Sequence, residues 1–200
     1  MGIVDDPRQS GFWQEHYERG EPPWDKGEAA PPLVRAIEKL NPEAGLRALV
    51  PGCGYGHEAL LLAERGCEVV AVDFAKSAID ELARPGLGFS LRALERDIFT
   101  VATDFAKSFD LVVEHTCFCA IPLDRREEYG TTMAAVLGEG GVLLGLFWEL
   151  GQDGGPPFNT TRADLSRYFD PLFDMVQVER PGDSFPSRQD QEWLVVMTRR

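Results

Sequence analysis

A doubly wound α/β sheet of about seven strands, mostly parallel with an antiparallel last strand and helices on both faces, is the fold this sequence predicts. Three observations lead there. From residue 31 onward, apolar runs of strand length alternate with amphipathic segments of helical period. Several of the runs are near-continuous Val and Leu, as expected of strands covered on both faces. The last two runs have no helical segment between them, only "PGDSFPSRQD", and so should pair as an antiparallel hairpin.

The elements follow in order. A polar, Trp-containing arm spans residues 1–30, and "PPLVRAIEKL" (31–40) carries apolar residues at helical spacing. "LRALV" (46–50) reads as a buried strand, and "HEALLLAERG" (57–66) as a helix ended by Gly66. "CEVVAVD" (67–73) is the second strand, and "AKSAIDELAR" (75–84) a helix stopped by Pro85. "FSLRALERD" (89–97) and "FDLVVEH" (109–115) are strands three and four, and residues 124–137 form a helix. "GGVLLGLFWEL" (140–150) is strand five, followed by the loop "GQDGGPPFNTT" and a helix "RADLSRYFD". "FDMVQVER" and "QEWLVVMTRR" close the chain. With no repeat and no low-complexity linker, residues 1–200 are expected to form one domain.

Composition narrows the function classes. At 200 residues, 44% hydrophobic and 26% charged, the chain has the make-up of a globular domain. Its net charge of -13 would repel a polyanion, so nucleic acid and anionic membrane are not expected partners. No apolar stretch is long enough to cross a bilayer, and "MGIVDDPRQS" lacks the basic and apolar regions of a signal peptide. A cytoplasmic location is the expectation. Cys53, Cys67, Cys117 and Cys119 form no Cys-x-x-Cys pair, and three histidines are scattered among them. Reduced buried thiols and no metal site are expected.

The candidate site begins at "LVPGCGYGHE" (49–58). In a doubly wound sheet, ligands sit beyond the carboxyl ends of the strands, near the switch in strand order. Gly52, Gly54 and Gly56 at alternate positions in the first strand-to-helix turn allow close backbone approach. One glycine could serve folding alone; three point to a ligand. A dinucleotide turn would read Gly-x-Gly-x-x-Gly, and here His57 stands where its last glycine belongs. A P-loop fails outright, because no Gly-Lys-Ser/Thr follows. Asp73 closes the second strand, where it could cap the next helix or accept hydrogen bonds from both ribose hydroxyls. Paired with the glycine turn, nucleoside binding is the favoured reading. Asp97 closes the third strand in "RDIF", where it could face an adenine amino group while Ile98 and Phe99 pack on the ring. The plainer reading of that stretch is a strand end with two core residues. A glycine turn followed by acids closing strands two and three is the layout of S-adenosylmethionine sites.

At this point the chain resembles the class I S-adenosylmethionine-dependent methyltransferases, whose sheet is Rossmann-like. Within them it resembles the thiopurine methyltransferase-like group, and there the thiol and halide methyltransferases. The resemblance rests on "FWQEHYERGEPPWDKGEAAP", "ALVPGCGYGHE", "FDLVVEHTCFCAIPLDRREEY" and "DGGPPF", and spans nearly the whole chain. It implies that the arm (1–30) folds over the cofactor as a lid, with Trp13, Tyr17 and Trp24 at the family's aromatic positions. It implies cofactor contacts from Gly52, Cys53, Gly54, Asp73, Phe74, Asp97, Ile98, Glu114 and His115. It implies an acceptor pocket between the lid and the loops after strands four and five, lined by Trp24, Phe118, Trp148 and Phe158. His115 stands where the thiopurine enzymes carry arginine, and could contact the methionine moiety or face the acceptor. It is the one candidate for a catalytic base.

The activity so implied is transfer of a methyl group from S-adenosylmethionine to a small soft nucleophile: a thiol, hydrosulfide or halide. A thiol is partly ionised near neutrality and a halide needs no deprotonation, so a base–nucleophile pair is not demanded. Alternatives are O-, N- or thiopurine S-methylation of another small molecule, a nicotinamide-dependent oxidoreductase, and a non-catalytic cofactor-binding module. The expected assembly is a monomer or weak homodimer acting on a small-molecule acceptor.

Overall fold

The computed structural model describes residues 6–20 and 22–200. The first five residues of the arm and Glu21 lie outside them, as does half of the stretch read for a signal peptide. The arm contributes α1 (Ser10–Glu18), and α2 (Pro31–Leu40) follows, with proline in its first turn and Asn41 left-handed at its end. The alternating part is β1 (Arg47–Pro51), α3 (His57–Glu64), β2 (Glu68–Asp73), α4 (Lys76–Ala83), β3 (Leu91–Glu95), α5 (Ala102–Phe105) and β4 (Phe109–His115). Then come α6 (Arg126–Val136), β5 (Leu137–Trp148), α7 (Arg162–Phe169), β6 (Phe173–Glu179) and β7 (Glu192–Arg199).

The strands form one sheet in the order β3-β2-β1-β4-β5-β7-β6. All neighbours from β3 to β5 are parallel, and β7 runs antiparallel to both β5 and β6. The expected fold class is therefore the observed one, including the closing hairpin. Strand order reverses between β1 and β4, which fixes the cleft above their carboxyl ends. Two boundaries moved. The third strand is confined to Leu91–Glu95. The fifth begins at Leu137, directly at the end of α6, because Phe109 in β4 offers it a pairing partner there.

Alternation along the strands divides the core into two layers. Leu49, Val112, Leu143 and Phe147 pack on Tyr129, Met133, Leu165 and Phe169 from α6 and α7. Ala48, Val50, Leu111, Val113 and Leu144 pack on Leu33, Ile37 and Leu62 from α2 and α3. The same parity governs the end of β4: Glu114 falls on the α6 side and His115 on the α3 side. A third, smaller cluster joins Tyr17, Trp13 and Trp24 of the arm to Ala75 and Ala78 at the start of α4. No helix of the described residues is long and apolar enough to cross a membrane. All four cysteines are buried and free.

Candidate active site

The glycine turn is shaped by contacts that leave no room for side chains. Gly52 and Gly54 both have positive φ (55° and 52°). A Cβ on Gly52 would lie 2.7 Å from Cys117 Sγ, and one on Gly54 would lie 3.1 Å from the Tyr17 hydroxyl. Asp73 pins this turn: its Oδ2 accepts the Gly54 N–H at 2.9 Å, and its Oδ1 accepts the Ala75 N–H at 2.9 Å. The carboxylate thus steadies the entrance to α4 and the glycine turn together, with burial pushing its pKa up against those N–H donors. One strand further on, Asp97 accepts the Phe99 N–H at 3.0 Å and starts a short 3₁₀ turn over Ile98–Thr100.

Two hollows open above the switch point. The larger, of about 270 Å³, is walled by Trp13, Tyr17, Trp24, Gly52, Asp73, Phe74, Asp97, Ile98 and Trp148 among the expected residues. The smaller, of about 40 Å³, is lined by Gly52, Cys53, Gly54 and His115, with Tyr17 and Trp24 shared between the two. The arm roofs both. Trp24 packs edge-on to Trp13 and Tyr17 with ring centroids 5.6 Å apart in each pair, and its indole N–H donates to the Tyr17 hydroxyl at 3.2 Å. Arm and body are also tied by Gln14 to Ser77, by Asp25 to His57 and by Arg8 to Asp124.

Three expected residues reach neither hollow. Phe118 is buried in the lower core against Tyr129, Phe147 and Phe169. Thr116, at φ 60°, turns the chain after β4, and the following 3₁₀ turn aims Phe118 downward. Phe158 is half-buried; its N–H donates to the Cys119 carbonyl at 2.7 Å, and Pro156 and Pro157 supply the wall in its place. Glu114 faces α6, where its Oε1 accepts the N–H groups of Cys117 and Phe118 at 2.8 Å each. Burial pushes its carboxyl up to about 7. It shapes the turn from beneath.

His115 is fully engaged. Its Nδ1 lies 2.8 Å from Glu58 Oε1 and its Nε2 lies 3.1 Å from Arg188 Nη1. A guanidinium can only donate, so Nε2 accepts and the ring proton sits on Nδ1, donated to Glu58. Burial would raise the Glu58 carboxyl, but His115 and the Ala30 N–H together hold it down at about 2. Arg188 is buried, pairs with Glu192 at 3.3 Å, and stacks over the Trp148 ring at 4.5 Å. The imidazole therefore has no lone pair left for an acceptor. The catalytic expectation for His115 is corrected to a structural one: it is the middle of a buried Glu58–His115–Arg188 chain.

Glu58, Thr116 and His16 line the hollows and Arg188 backs His115, and the sequence reading singled out none of the four. Glu58 directly follows the glycine turn's His57, so adjacency was a signal; "SFPSRQD" around Arg188 offers none. His16 lies one residue from Tyr17 on α1 and lines the larger hollow.

This strand order, with a glycine turn after β1 and an acid closing β2, defines an S-adenosylmethionine-dependent methyltransferase. The chain belongs to the thiopurine S-methyltransferase family, whose model matches residues 8–199. It is similar to thiocyanate methyltransferase 1 of Brassica oleracea, at 33% identity over 196 residues covering 93% of this chain and 84% of that one. It is also similar to "Probable thiol methyltransferase 2" of Arabidopsis thaliana, at 31% identity over 176 residues covering 84% of this chain and 76% of that one. In fold it is similar to 1,6-didemethyltoxoflavin-N1-methyltransferase of Burkholderia thailandensis, with a TM-score of 0.78 at 18% identity, covering 100% of this chain and 92% of that one. The cofactor of the class is S-adenosylmethionine. The residues present fit it: side-chain-free backbone at Gly52 and Gly54, a carboxylate beside them, and aromatic rings over both.

Proposed function

We propose that this enzyme methylates a small soft nucleophile, a thiol, hydrosulfide or (pseudo)halide, and that residues 1–30 act as its lid. The observation that carries this reading is the larger hollow. Its acceptor side is built from Trp24, Ile121, Pro122, Trp148, Pro156 and Pro157, a wall with little to hydrogen-bond a polar substrate. An apolar site strips water from a soft nucleophile and makes it more reactive. The printed names of the relatives, thiocyanate and thiol methyltransferases, point the same way.

When bound, S-adenosylmethionine supplies an electrophilic methyl group on a sulfonium sulfur. Asp73 would accept hydrogen bonds from the ribose with its remaining lone pairs, and Asp97 would address the adenine beside Ile98. The backbone of Gly52, Cys53 and Gly54 would hold the methionine end, in the smaller hollow that His115 closes. Trp13, Tyr17 and Trp24 would face the sulfonium, since aromatic faces attract a cation. The remaining work is alignment and exclusion of water, which can lower a barrier by roughly 7–11 kcal/mol at the extreme. We further place the enzyme in the cytoplasm, as a monomer or weak homodimer of one domain; the net charge of -13 disfavours nucleic-acid and membrane partners.

The test is an endpoint assay of S-adenosylhomocysteine with iodide, thiocyanate, hydrosulfide, thiophenol and a thiopurine, against a control without acceptor. Product with a thiol or an anion supports the reading and ranks the acceptors. Product with the thiopurine alone would replace it with the activity for which the family is named. No product from any, with S-adenosylhomocysteine still bound in calorimetry, would discard the substrate class.

A further inference from the structure

We propose that His16, on the inner face of α1, is the proton acceptor that admits protonated thiols as substrates of this enzyme. The inference rests on the soft-nucleophile reading and deepens it, by separating acceptors that must lose a proton from anions that need not.

The argument is one of elimination within the larger hollow. A base there needs a free lone pair, access to the acceptor and an ionisation near neutrality. The charged groups sharing that hollow with His16 are Arg8, Arg96, Arg125, Asp73 and Asp97. The three arginines have no lone pair to offer. Asp73 already receives N–H groups on both oxygens, and Asp97 receives the Phe99 N–H. A carboxylate is in any case some four units too acidic for an ordinary thiol. Three neutral groups also face the space. Burial pushes the Cys117 thiol well up and the Cys119 thiol up to about 12, and it raises the Tyr17 phenol as well. All three are held protonated, which also keeps the enzyme's own thiols from competing as methyl acceptors.

His16 alone remains. Its half-buried ring lies edge-on to Phe12 and Trp24, with centroids 5.1 and 5.2 Å away, and neither ring nitrogen has a hydrogen-bond partner among the described residues. Phe12 and His16 are four residues apart and share a helix face. His16 shares the larger hollow with Trp24 and Trp148 of the acceptor side, and Trp24 is the ring it packs on. The contrast with His115, whose two nitrogens are both taken, identifies which imidazole is free to react.

The step balances. The acceptor's S–H proton passes to the free ring nitrogen of His16, and a sulfur lone pair forms the new S–C bond. The electron pair of the broken methyl–sulfonium bond stays on the departing sulfur, giving S-adenosylhomocysteine. The imidazolium returns its proton to solvent when the product leaves.

The test compares the wild-type enzyme with His16→Gln, using 2-mercaptoethanol as the protic acceptor and iodide as the anionic one. A thiol of pKa about 8.5 is about 3% ionised at pH 7, and 2-mercaptoethanol, a weaker acid, still less, so a base can contribute about thirtyfold or more there. The thiol-to-iodide rate ratio should therefore fall about 10- to 30-fold in the variant at pH 7. The difference should close as pH rises above the thiol's own pKa, where solution already supplies thiolate. A second readout needs no turnover: thiophenol added below its ionisation should show the thiolate ultraviolet band on binding to the wild type and not to His16→Gln. Equal losses with both acceptors, or a thiolate band that survives the substitution, would overturn the proposal while leaving the methyltransferase reading intact. Absence of turnover by the wild type with either acceptor would bring down the substrate reading and this proposal together.

Discussion

The two hollows above the switch point are made of opposite materials. The smaller is walled by polar groups already hydrogen-bonded to one another: Glu58 with His115 and Asp25 with His57, with the Arg188–Glu192 ion pair behind them. The larger is walled mainly by rings and prolines, with Arg8, Asp73, Arg96, Asp97 and Arg125 among its lining and one imidazole, His16, that has no hydrogen-bond partner among the described residues. On the proposed reading, the smaller hollow holds only the methionine end of the cofactor, while the larger takes its adenosine and the acceptor. Matched polar groups set a fixed shape before any ligand arrives, because buried polar groups without partners would be too costly to keep. An apolar wall fixes no ligand polarity and leaves an incoming nucleophile desolvated. The substitutions that follow probe each side in turn.

The largest effect should come from unmatching the polar side. Glu58→Ala would leave the buried His115 Nδ1–H and Ala30 N–H without their acceptor, and each buried donor so stranded costs about 1–3 kcal/mol. Urea unfolding at pH 7 measures it; a loss below about 1 kcal/mol would mean that these hydrogen bonds do not hold the turn. The pH dependence has a definite sign. The folded Glu58 carboxyl, at about 2, lies below its unfolded value, so its stabilisation is complete above about pH 4.5 and fades as pH falls towards 2. Wild type and variant should therefore converge in acid.

Next in size is the wall between the two hollows. Asp73→Ala removes the acceptor for both Gly54 N–H and Ala75 N–H, so the glycine turn loses its pin as well as its charge. Affinity for S-adenosylhomocysteine should drop about a hundredfold or more, close to 3 kcal/mol, with the circular dichroism spectrum retained. Unchanged affinity would show that the turn holds its shape without the acid and that the ribose lies elsewhere.

How much of this contrast could be read from the sequence follows from the distances involved. Gly52, Gly54 and Asp73 were legible because their reasons are local: a turn that must admit backbone, and an acid at a strand end. The arm's aromatic positions were legible through resemblance. The buried polar chain was not, since Glu58 meets a partner 57 residues away and His115 one 73 residues away. Single-chain patterns carry no record of which ionised groups meet across a fold. His115 was misread for that reason: a strand-end histidine looks free until its two neighbours are known. Phe118 was misread for another. Hydrophobicity marks it as buried but cannot say whether it lies above or below the turn at Thr116.

A smaller effect is expected from the apolar roof. Trp24→Ala deletes the ring that meets Trp13, His16 and Tyr17 and that borders both hollows, yet it strands only the Tyr17 hydroxyl. Cofactor affinity should weaken about tenfold, or 1.4 kcal/mol. Proteolysis near the arm should accelerate in step. Wild-type affinity with faster cleavage would make the arm a cover that contributes nothing to binding.

The smallest effect belongs to the outer latch, where Arg8 meets both carboxylate oxygens of Asp124 at 2.8 and 2.9 Å. Both side chains are largely in solvent, so the pair should be weak and screened by salt. Arg8→Ala should lower cofactor affinity by less than about threefold at low ionic strength, and the difference should vanish at about 1 M salt. The measurement sharpens the comparison because Arg8 also borders the larger hollow. An effect that persists in high salt would mean that its guanidinium acts on the hollow itself. The apolar side would then hold a charge poised for an anionic acceptor, and the contrast between the two hollows would be one of degree.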